Sequence, residues 1–238
     1  MFPTTQEVVD LNLNQDLPHA KVRWYPTDLG KCLRGVYYER KGEIKTREMD
    51  IYTYRVFQCG HLFEDFVVSS FNKYASVNNI QVETQKRVEI SDWDVGGYAD
   101  LIASKDGTSR VYEFKTVHSF KFRYIKENNG PDEQHKQQLW TYLYGLKIDS
   151  GSLVYIQKDR LYCSEFQVNL NDEKLEHDVR TQYEILNKAW KTQELPPVPE
   201  TITKKGRRHS INWQAAYCNY HALCLNDPEW KELSLIHI

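Results

Sequence analysis

The stretch VGGYADLIASKDGTSRVYEFKTVHSF, Val95 to Phe120, predicts two β-strands that carry charged side chains into a core. Its apolar residues follow strand patterns, and the Lys-Asp-Gly-Thr sequence between them is typical of a hairpin turn. Side chains alternate along a strand, so Glu113 and Lys115 share one face while Phe114 takes the other. Asp100, on the preceding strand, can approach the face of Glu113. Burying such charges costs free energy unless they are paired or bind a metal, so the hairpin predicts a polar site within the sheet.

Composition frames this hairpin as part of one domain. The chain has 238 residues, of which 40% are hydrophobic and 27% charged, and we predict a single domain over 1–238 with a core at about 50–170. No apolar run approaches the roughly 18 residues of a membrane helix, and the N-terminus lacks the pattern of a signal peptide. We therefore expect a cytoplasmic protein with no membrane partner. The formal net charge of -2 means that nucleic-acid binding would depend on local basic patches.

Helical and extended patterns alternate along the chain. The helical spacing of Leu29, Leu33 and Val36 predicts a first helix with Thr27 as its N-cap. Further helices are predicted at 54–74, 132–146 and 171–190, and strands at 80–90, 95–104, 109–117, 150–159 and 160–170. This order predicts an α/β fold with a central mixed β-sheet flanked by helices.

Two carboxylates and a lysine on one face suit a hard divalent cation. Oxygen ligands such as Asp100 and Glu113 bind Mg²⁺ or Mn²⁺, which retain waters and need few protein ligands. A charged Lys115 would instead position a metal-activated water or stabilise charge on a phosphate. Through GGYAD and YEFKT the chain resembles the PD-(D/E)xK nuclease superfamily, whose pattern is an aspartate, a turn and then Glu-x-Lys. The resemblance implies a restriction-endonuclease-like core and phosphodiester hydrolysis.

An ion pair between strands would by itself account for Glu-x-Lys. Residues before and after the hairpin make the resemblance specific to one branch of the superfamily. His61, in CGHLFEDF on the second predicted helix, is similar to the helical histidine of RecB-like and CRISPR-associated exonucleases; Glu64 follows one turn later. Gln138 and Tyr142 lie four residues apart on one helix face and resemble the Gln-x-x-x-Tyr pair of that branch. The resemblance covers about 27–224.

The resemblance also implies roles for these residues. The implied metal ligands are His61, Asp100, Glu113 and the carbonyl of Phe114. The implied catalytic residues are Asp100, Glu113, Lys115, Gln138 and Tyr142. Lys115 would position or deprotonate the attacking water, and Gln138 and Tyr142 would contact the lysine or the DNA backbone.

The cysteines predict a second metal site. Five cysteines, an odd number, argue against a disulfide framework. Iron–sulfur nucleases of the resembled branch join one N-terminal cysteine to three C-terminal ones spaced C-x2-C-x5-C. Cys32, Cys218 and Cys224 match three of these positions, and Ala215 occupies the fourth. The resemblance thus implies that the helical segments 24–45 and 200–226 are brought together by a cysteine-ligated staple.

Three thiols leave three outcomes open for this staple. They are an iron–sulfur cluster with an open or non-cysteine position, a zinc site completed by His209 or His221, and buried free thiols without a metal. We expect the remaining cysteines, Cys59 and Cys163, to be core residues.

Basic and aromatic residues interleave in HSFKFRYIKENN and predict a DNA contact, because basic side chains neutralise phosphates and aromatic rings stack on bases. The basic residues are Lys121, Arg123 and Lys126, set among Phe120, Phe122 and Tyr124. A second candidate DNA contact lies near the C-terminus and comprises Lys204, Lys205, Arg207 and Arg208.

Together these features predict an Mg²⁺- or Mn²⁺-dependent deoxyribonuclease that acts at DNA ends. The chain has no G-x-x-x-x-G-K-[ST] motif, so we expect a stand-alone exonuclease without ATP-driven unwinding. The resemblance implies a place in recombination, DNA repair or CRISPR adaptation, in a phage or bacterium, with DNA and a recombination or CRISPR protein as partners. Two alternatives are a non-catalytic DNA-binding or assembly subunit of the same fold and a structure-specific endonuclease.

Overall fold

The computed structural model describes residues 2–13, 21–47, 50–197, 202–205, 208–211 and 218–225. The helices are α1 (Thr5–Leu11), α2 (Leu33–Lys41), α3 (Ile51–Asn78), α4 (Ser119–Tyr124), α5 (Glu133–Leu146), α6 (Glu173–Thr192) and α7 (His221–Leu225). The strands are β1 (Gln81–Ile90), β2 (Val95–Lys105), β3 (Thr108–Val117), β4 (Ser150–Gln157), β5 (Cys163–Asn169), β6 (Ile202–Lys205) and β7 (Arg208–Ile211). Within these ranges, none of the helices combines the length and the apolar character needed to span a membrane.

Strands β1 to β5 form one mixed sheet in the order β1-β2-β3-β4-β5. Neighbouring strands are antiparallel, except that β3 and β4 are parallel. The β2–β3 connection is the predicted hairpin: Asp106 and Gly107 both have positive φ, as the tight two-residue turn requires. The predicted mixed sheet is confirmed, and β3 occupies its centre.

Helices cover both faces of this sheet. On one face, Phe63, Val67 and Phe71 of α3 pack against an apolar cluster that includes Leu101 and Phe114. On the other face, α5 and α6 contribute the buried residues Leu139, Leu143, Leu175, Val179, Tyr183 and Leu186. The α6 residues in this set follow the predicted helical spacing. A mixed sheet between two helical layers confirms the predicted α/β fold.

The predicted first helix is wrong at its N-terminal end. Pro26–Asp28 form a single 3-10 turn, and α2 begins only at Leu33. Gly30 separates the two because its φ of 72° is left-handed, and a Cβ there would lie 2.9 Å from the Cβ of Gln134. Thr27 therefore caps no helix. Instead the buried Asp28 carboxylate accepts a hydrogen bond from the backbone N–H of Tyr25 at 2.9 Å.

The N-terminal and C-terminal segments are in contact, as predicted, but the expectation that 200–226 is helical is wrong at β6 and β7, which form a hairpin. The guanidinium of the buried Arg40 lies 4.2 Å from the ring centroid of Trp24 and 4.3 Å from that of Trp190, which joins the N-terminal segment to α6. The backbone N–H of Thr46 donates to the carbonyl of Asn219 at 2.8 Å. Residues 24–47 are thus held against both α6 and 218–225.

Candidate active site

The β2–β3 hairpin brings the predicted acids and lysine together. Register pairs Leu101 with Tyr112, which puts Asp100 and Glu113 at the next step of the ladder. The Asp100 carboxylate accepts a hydrogen bond from the backbone N–H of Phe114 at 2.8 Å. Lys115 Nζ lies 2.8 Å from Glu113 Oε1. The face that alternation predicted for Glu113 and Lys115 is therefore observed.

The Gln-x-x-x-Tyr pair of helix α5 lies over this face of the sheet. Gln138 Nε2 donates to Glu113 Oε1 at 2.6 Å and to the Tyr142 hydroxyl at 3.3 Å. The glutamine thus contacts the carboxylate, whereas the resemblance implied a contact with Lys115 or DNA. Two donors, Gln138 and Lys115, converge on one oxygen of Glu113.

The second oxygen of Glu113 gives the site its distinctive chemistry. Glu113 Oε2 is buried, and none of the described side chains or backbone groups donates a hydrogen bond to it. Burial, followed by the negative charge of Asp100, raises the pKa of Glu113 to about 8. Burial also raises the pKa of Asp100. Without a cation, Glu113 therefore keeps its proton up to about pH 8, because a second buried negative charge beside Asp100 would be repelled.

Lys115 remains an ammonium in this environment. Burial alone would lower its pKa, but the charges of Glu113 and Asp100 raise it overall. One ammonium opposite two acids leaves the site short of positive charge. That shortage fits a hard divalent cation with oxygen ligands, which needs only one or two carboxylates and completes its shell with water.

A cleft of about 330 Å³ opens onto these groups. Sequence reasoning missed several residues of its wall, namely Tyr25, Pro26, Thr27, Gly97, Tyr98 and Glu64. Burial, then the charge of Asp100, raises the pKa of Glu64, so a third acid faces the same space. Its place one turn after His61 was the only available signal. No sequence pattern near the hairpin predicts the part of the wall formed by Tyr25, Pro26 and Thr27, because these residues are distant from it in sequence.

Gln85 holds Glu64 in place from a strained position in β1. Its Nε2 donates to Glu64 Oε1 at 2.8 Å. Its φ of 50° is left-handed, which is rare for a residue in a strand other than glycine. The β1–β2 ladder pairs Thr84 with Leu101 and Lys86 with Ala99, so Gln85 stands beside Asp100. Strain of this kind is often retained where function requires it.

We expect Gln85→Gly to increase stability and reduce activity together. Glycine adopts a left-handed φ freely, so the free energy of unfolding should rise by about 1 kcal/mol. Loss of the amide frees Glu64, and hydrolysis should slow about ten-fold. Thermal unfolding and a nuclease assay measure the two effects. Gln85→Asn is the control: it tolerates the same φ, but its shorter amide cannot reach Glu64, so its activity should also fall. Full activity in both variants would contradict a positioning role.

His61 is exposed on α3, one turn before Glu64, and its interaction with Asp100 and Glu64 offsets part of the rise in the pKa of each. However, the described part of the chain contains no group of three or more His, Cys, Asp or Glu side chains placed to hold a metal ion. The structure does bring the carboxylates of Asp100 and Glu113 together beside the backbone of Phe114. His61 lies at the edge of this set.

The raised carboxyl pKa values predict how pH changes stability in EDTA. Glu113 binds its proton more tightly in the folded chain than in the unfolded one, whose pKa is 4.5. The stabilisation that this proton gives to the folded state is therefore fully present below pH 4.5 and is lost as pH rises through about 8. We expect the melting temperature of the wild type to fall over this range relative to Glu113→Gln, and Mg²⁺ or Mn²⁺ to reverse the fall. Parallel pH profiles of the two proteins would refute this linkage.

The residues predicted to contact DNA differ in their exposure to solvent and in their partners. Arg123 and Lys126 are exposed on and after α4, and Lys121 Nζ pairs with Asp132 at 2.7 Å. Phe122 is buried, so the prediction that it stacks on a base is wrong. Lys204, Lys205 and Arg208 lie on the β6–β7 hairpin, in which the backbone of Lys205 is opposite that of Arg208. Arg207 lies outside the described residues.

The cysteines are only partly gathered. A Cβ on Gly35 would lie 3.4 Å from Cys218 Sγ and 3.9 Å from Cys32 Cβ, so these two cysteines flank the same glycine. Cys224 is buried on α7. His221 begins α7 and His209 lies on β7, whereas Ala215 falls outside the described residues. Among the described residues, the three thiols do not form a group placed to hold a metal.

The prediction that Cys59 and Cys163 are core residues is wrong. Both are exposed. Cys59 lies on the outer surface of α3. Cys163 begins β5, which is an edge strand of the sheet, and half of such a strand's side chains point away from the core.

Three known proteins are similar to this chain. The CRISPR-associated exonuclease Cas4 of Saccharolobus solfataricus is 28% identical over 227 residues, 92% of this chain and 96% of the relative. The crystal structure of an alkaline exonuclease (LHK-Exo) from Laribacter hongkongensis has 13% identity and a TM-score of 0.50, covering 72% of this chain and 89% of that one, and shows likeness of fold alone. The crystal structure of SSO0001 has 23% identity and a TM-score of 0.49, covering 92% of each chain.

A family model described as the PD-(D/E)XK nuclease superfamily matches residues 6–225. This range includes the hairpin that carries Asp100, Glu113 and Lys115, and the α5 face that carries Gln138. The resemblance found in the sequence is thereby confirmed: the chain belongs to the PD-(D/E)XK nuclease superfamily.

Proposed function

We propose that this nuclease is a metal-dependent exonuclease that hydrolyses phosphodiester bonds at DNA ends. The observation that carries the proposal is the open oxygen of Glu113, buried beside Asp100 and Lys115 at the floor of a cleft. The name of the Cas4 relative, an exonuclease, supports the choice of activity. The family match over 6–225 supports one nuclease domain over the chain.

Asp100, Glu113 and the Phe114 carbonyl would hold Mg²⁺ or Mn²⁺, with His61 as a further ligand at the rim. A divalent cation at this point supplies Lewis-acid activation of water and neutralises charge on the phosphate. The oxygen ligands suit these hard cations better than softer metals. Cation binding must displace the proton of Glu113, so affinity should rise with pH up to about 8.

The remaining residues of the site would orient Glu113 and stabilise the negative charge that develops on the phosphate. Lys115 is charged, so it would stabilise negative charge developing on the phosphate and position the attacking water, rather than remove a proton from it. Gln138 fixes the rotamer of Glu113 through Oε1 and leaves Oε2 for the cation. Burial, then the charge of Glu113, raises the pKa of Tyr142, which therefore stays protonated and orients Gln138.

The DNA strand would reach the cleft along basic residues. Lys121, Arg123 and Lys126 follow directly after β3, the strand that carries Glu113 and Lys115. The second basic cluster, Lys204, Lys205, Arg207 and Arg208, would contact phosphates further from the site. We place the activity in recombination, DNA repair or CRISPR adaptation, with a recombination or CRISPR protein as partner; the name of the Cas4 relative favours the CRISPR setting.

The test is an assay on end-labelled linear DNA and covalently closed circular DNA with Mg²⁺, Mn²⁺ or EDTA. An exonuclease releases mononucleotides or short oligomers from linear DNA, needs the metal, and leaves the closed circle intact. Cleavage of the circle would instead indicate the alternative structure-specific endonuclease. Tight DNA binding without hydrolysis under any metal would indicate the alternative non-catalytic subunit.

The cysteine staple has its own test, because its three outcomes predict different measurements. An iron–sulfur cluster gives brown protein with visible absorbance after anaerobic purification. A zinc site gives one zinc per chain by elemental analysis. Free thiols give neither, and Cys32, Cys218 and Cys224 then react with a thiol reagent after denaturation.

A further inference from the structure

The segment that follows Lys115 in the chain carries an exposed aromatic ring. Phe120, in the first turn of α4, is 74% exposed. The His118 ring lies nearly parallel to it, with centroids 6.2 Å apart and planes at 15°. A single exposed phenylalanine is ordinary on a protein surface, but this one lies three residues after the end of β3, the strand that carries Glu113 and Lys115.

Several contacts fix the segment that presents this ring. Phe122 and Ile125 are buried and anchor α4 and the turn after it in the core. Gln157 Nε2 donates to Ser119 Oγ at 2.7 Å, which ties the start of α4 to the end of β4. Because Phe122 and Ile125 fix the backbone of this segment, Phe120 is presented to solvent from an anchored backbone, which reduces the entropic cost of binding there.

A chain of contacts connects this segment to the active site. Lys115 is paired in register with Tyr155 across the parallel strands, so their side chains share a face. The Tyr155 hydroxyl lies 2.8 Å from His135 Nδ1 and accepts a hydrogen bond from Asp132 N at 3.0 Å. The Asp132 carboxylate in turn pairs with Lys121 of α4. His118 follows Lys115 by three residues, about 10 Å along an extended chain.

The charges around the ring suit a nucleic-acid strand. The segment from His118 to Lys126 contains three basic residues, Lys121, Arg123 and Lys126. Lys121 is paired with Asp132, and Ser119 donates to the Asp159 carboxylate, so the positive charge offered to phosphates is that of Arg123 and Lys126. Positive charge attracts phosphates, and an aromatic ring stacks on any base because every base has a π-face.

We propose that Phe120, backed by His118, is a stacking subsite for one base of the DNA strand whose phosphate lies at Lys115. The strand then leaves the cleft along α4, with its phosphates toward Arg123 and Lys126. This subsite rests on the proposed function in that its occupant is the nuclease's own DNA substrate. The subsite requires a base that is not stacked within a duplex, and it accepts all four bases.

The test measures binding in EDTA, where hydrolysis does not interfere. Single-stranded oligonucleotides with 2-aminopurine at successive positions from one end are titrated with wild type, Phe120→Ala, Phe120→Leu and Phe120→Trp. Phe2→Ala is the matched control, because Phe2 is also exposed but lies in the N-terminal segment. We expect Kd to rise about ten-fold for the alanine and leucine variants and to recover with tryptophan. Stacking should quench 2-aminopurine at one position in the wild type, and the quench should disappear in Phe120→Ala.

With Mg²⁺ present, Phe120→Ala should raise KM about ten-fold and change kcat much less, as expected for a lost binding contact. The subsite is refuted if Phe120→Ala binds as tightly as wild type, if leucine restores binding, or if wild type does not bind DNA. If the Phe120 variants lose binding while wild type hydrolyses no DNA under any metal, the exonuclease proposal fails and the subsite stands.

Discussion

Replacing Glu113 with glutamine should slow hydrolysis by about a thousand-fold while leaving the fold intact. The glutamine carbonyl can take the place of Oε1 and accept from Lys115 and Gln138, which leaves its NH₂ group at the position of Oε2. An amide nitrogen at that position has no lone pair to offer and cannot ligate a cation. A cation contributes several kcal/mol to phosphoryl transfer, and about 4 kcal/mol corresponds to a thousand-fold.

Two controls separate this loss from general damage. Glu83→Gln removes a carboxylate from an exposed position of β1 and should leave activity unchanged. Mn²⁺ binding measured by calorimetry should be lost in Glu113→Gln and retained in Glu83→Gln, while both bind DNA in EDTA as the wild type does. Normal Mn²⁺ affinity in Glu113→Gln would mean that the cation is held elsewhere.

Local patterns predicted the centre of this site because local geometry determines it. The two-residue turn fixes the hairpin, strand alternation places Glu113 beside Lys115, and the spacing of four places Gln138 over Tyr142 on one helix face. These relations depend only on backbone geometry. The predicted family and fold were confirmed for that reason.

Tertiary placement determines what the sequence could not predict. Glu64 faces Asp100 only because α3 crosses the sheet at that point, and Pro26 reaches the cleft only because the N-terminal segment folds back over β2. The exposure of Cys163 depends on β5 being an edge strand, which no pattern within β5 reveals. The first helix began late because Gly30 abuts Gln134, a contact between distant segments.

Lys115→Ala should separate metal binding from catalysis. Removing the ammonium takes a positive charge away from the cation site, so electrostatic repulsion of Mn²⁺ decreases. It also removes a charge that lowers the pKa of Glu113, so in the variant this pKa lies above its wild-type value of about 8 and protons compete with Mn²⁺ up to a higher pH. Once the pH exceeds this raised pKa the competition disappears, and the variant should bind Mn²⁺ at least as tightly as wild type. Hydrolysis should nevertheless be slower by about a hundred- to a thousand-fold, as for loss of one donor that stabilises developing charge.

The pH at which this is measured decides the role of the lysine. The comparison is made at a pH where the Mn²⁺ affinity of the variant no longer rises with pH, and calorimetry with Mn²⁺ and single-turnover hydrolysis on the same preparation then give affinity and rate independently. Tight Mn²⁺ binding with slow hydrolysis assigns Lys115 to the phosphate and the attacking water. If affinity and rate fall together at this pH, Lys115 acts only by holding Glu113, and Lys115→Arg, which preserves the ion pair, should then restore both. The two outcomes lead to different mechanisms from the same 2.8 Å contact between Lys115 and Glu113.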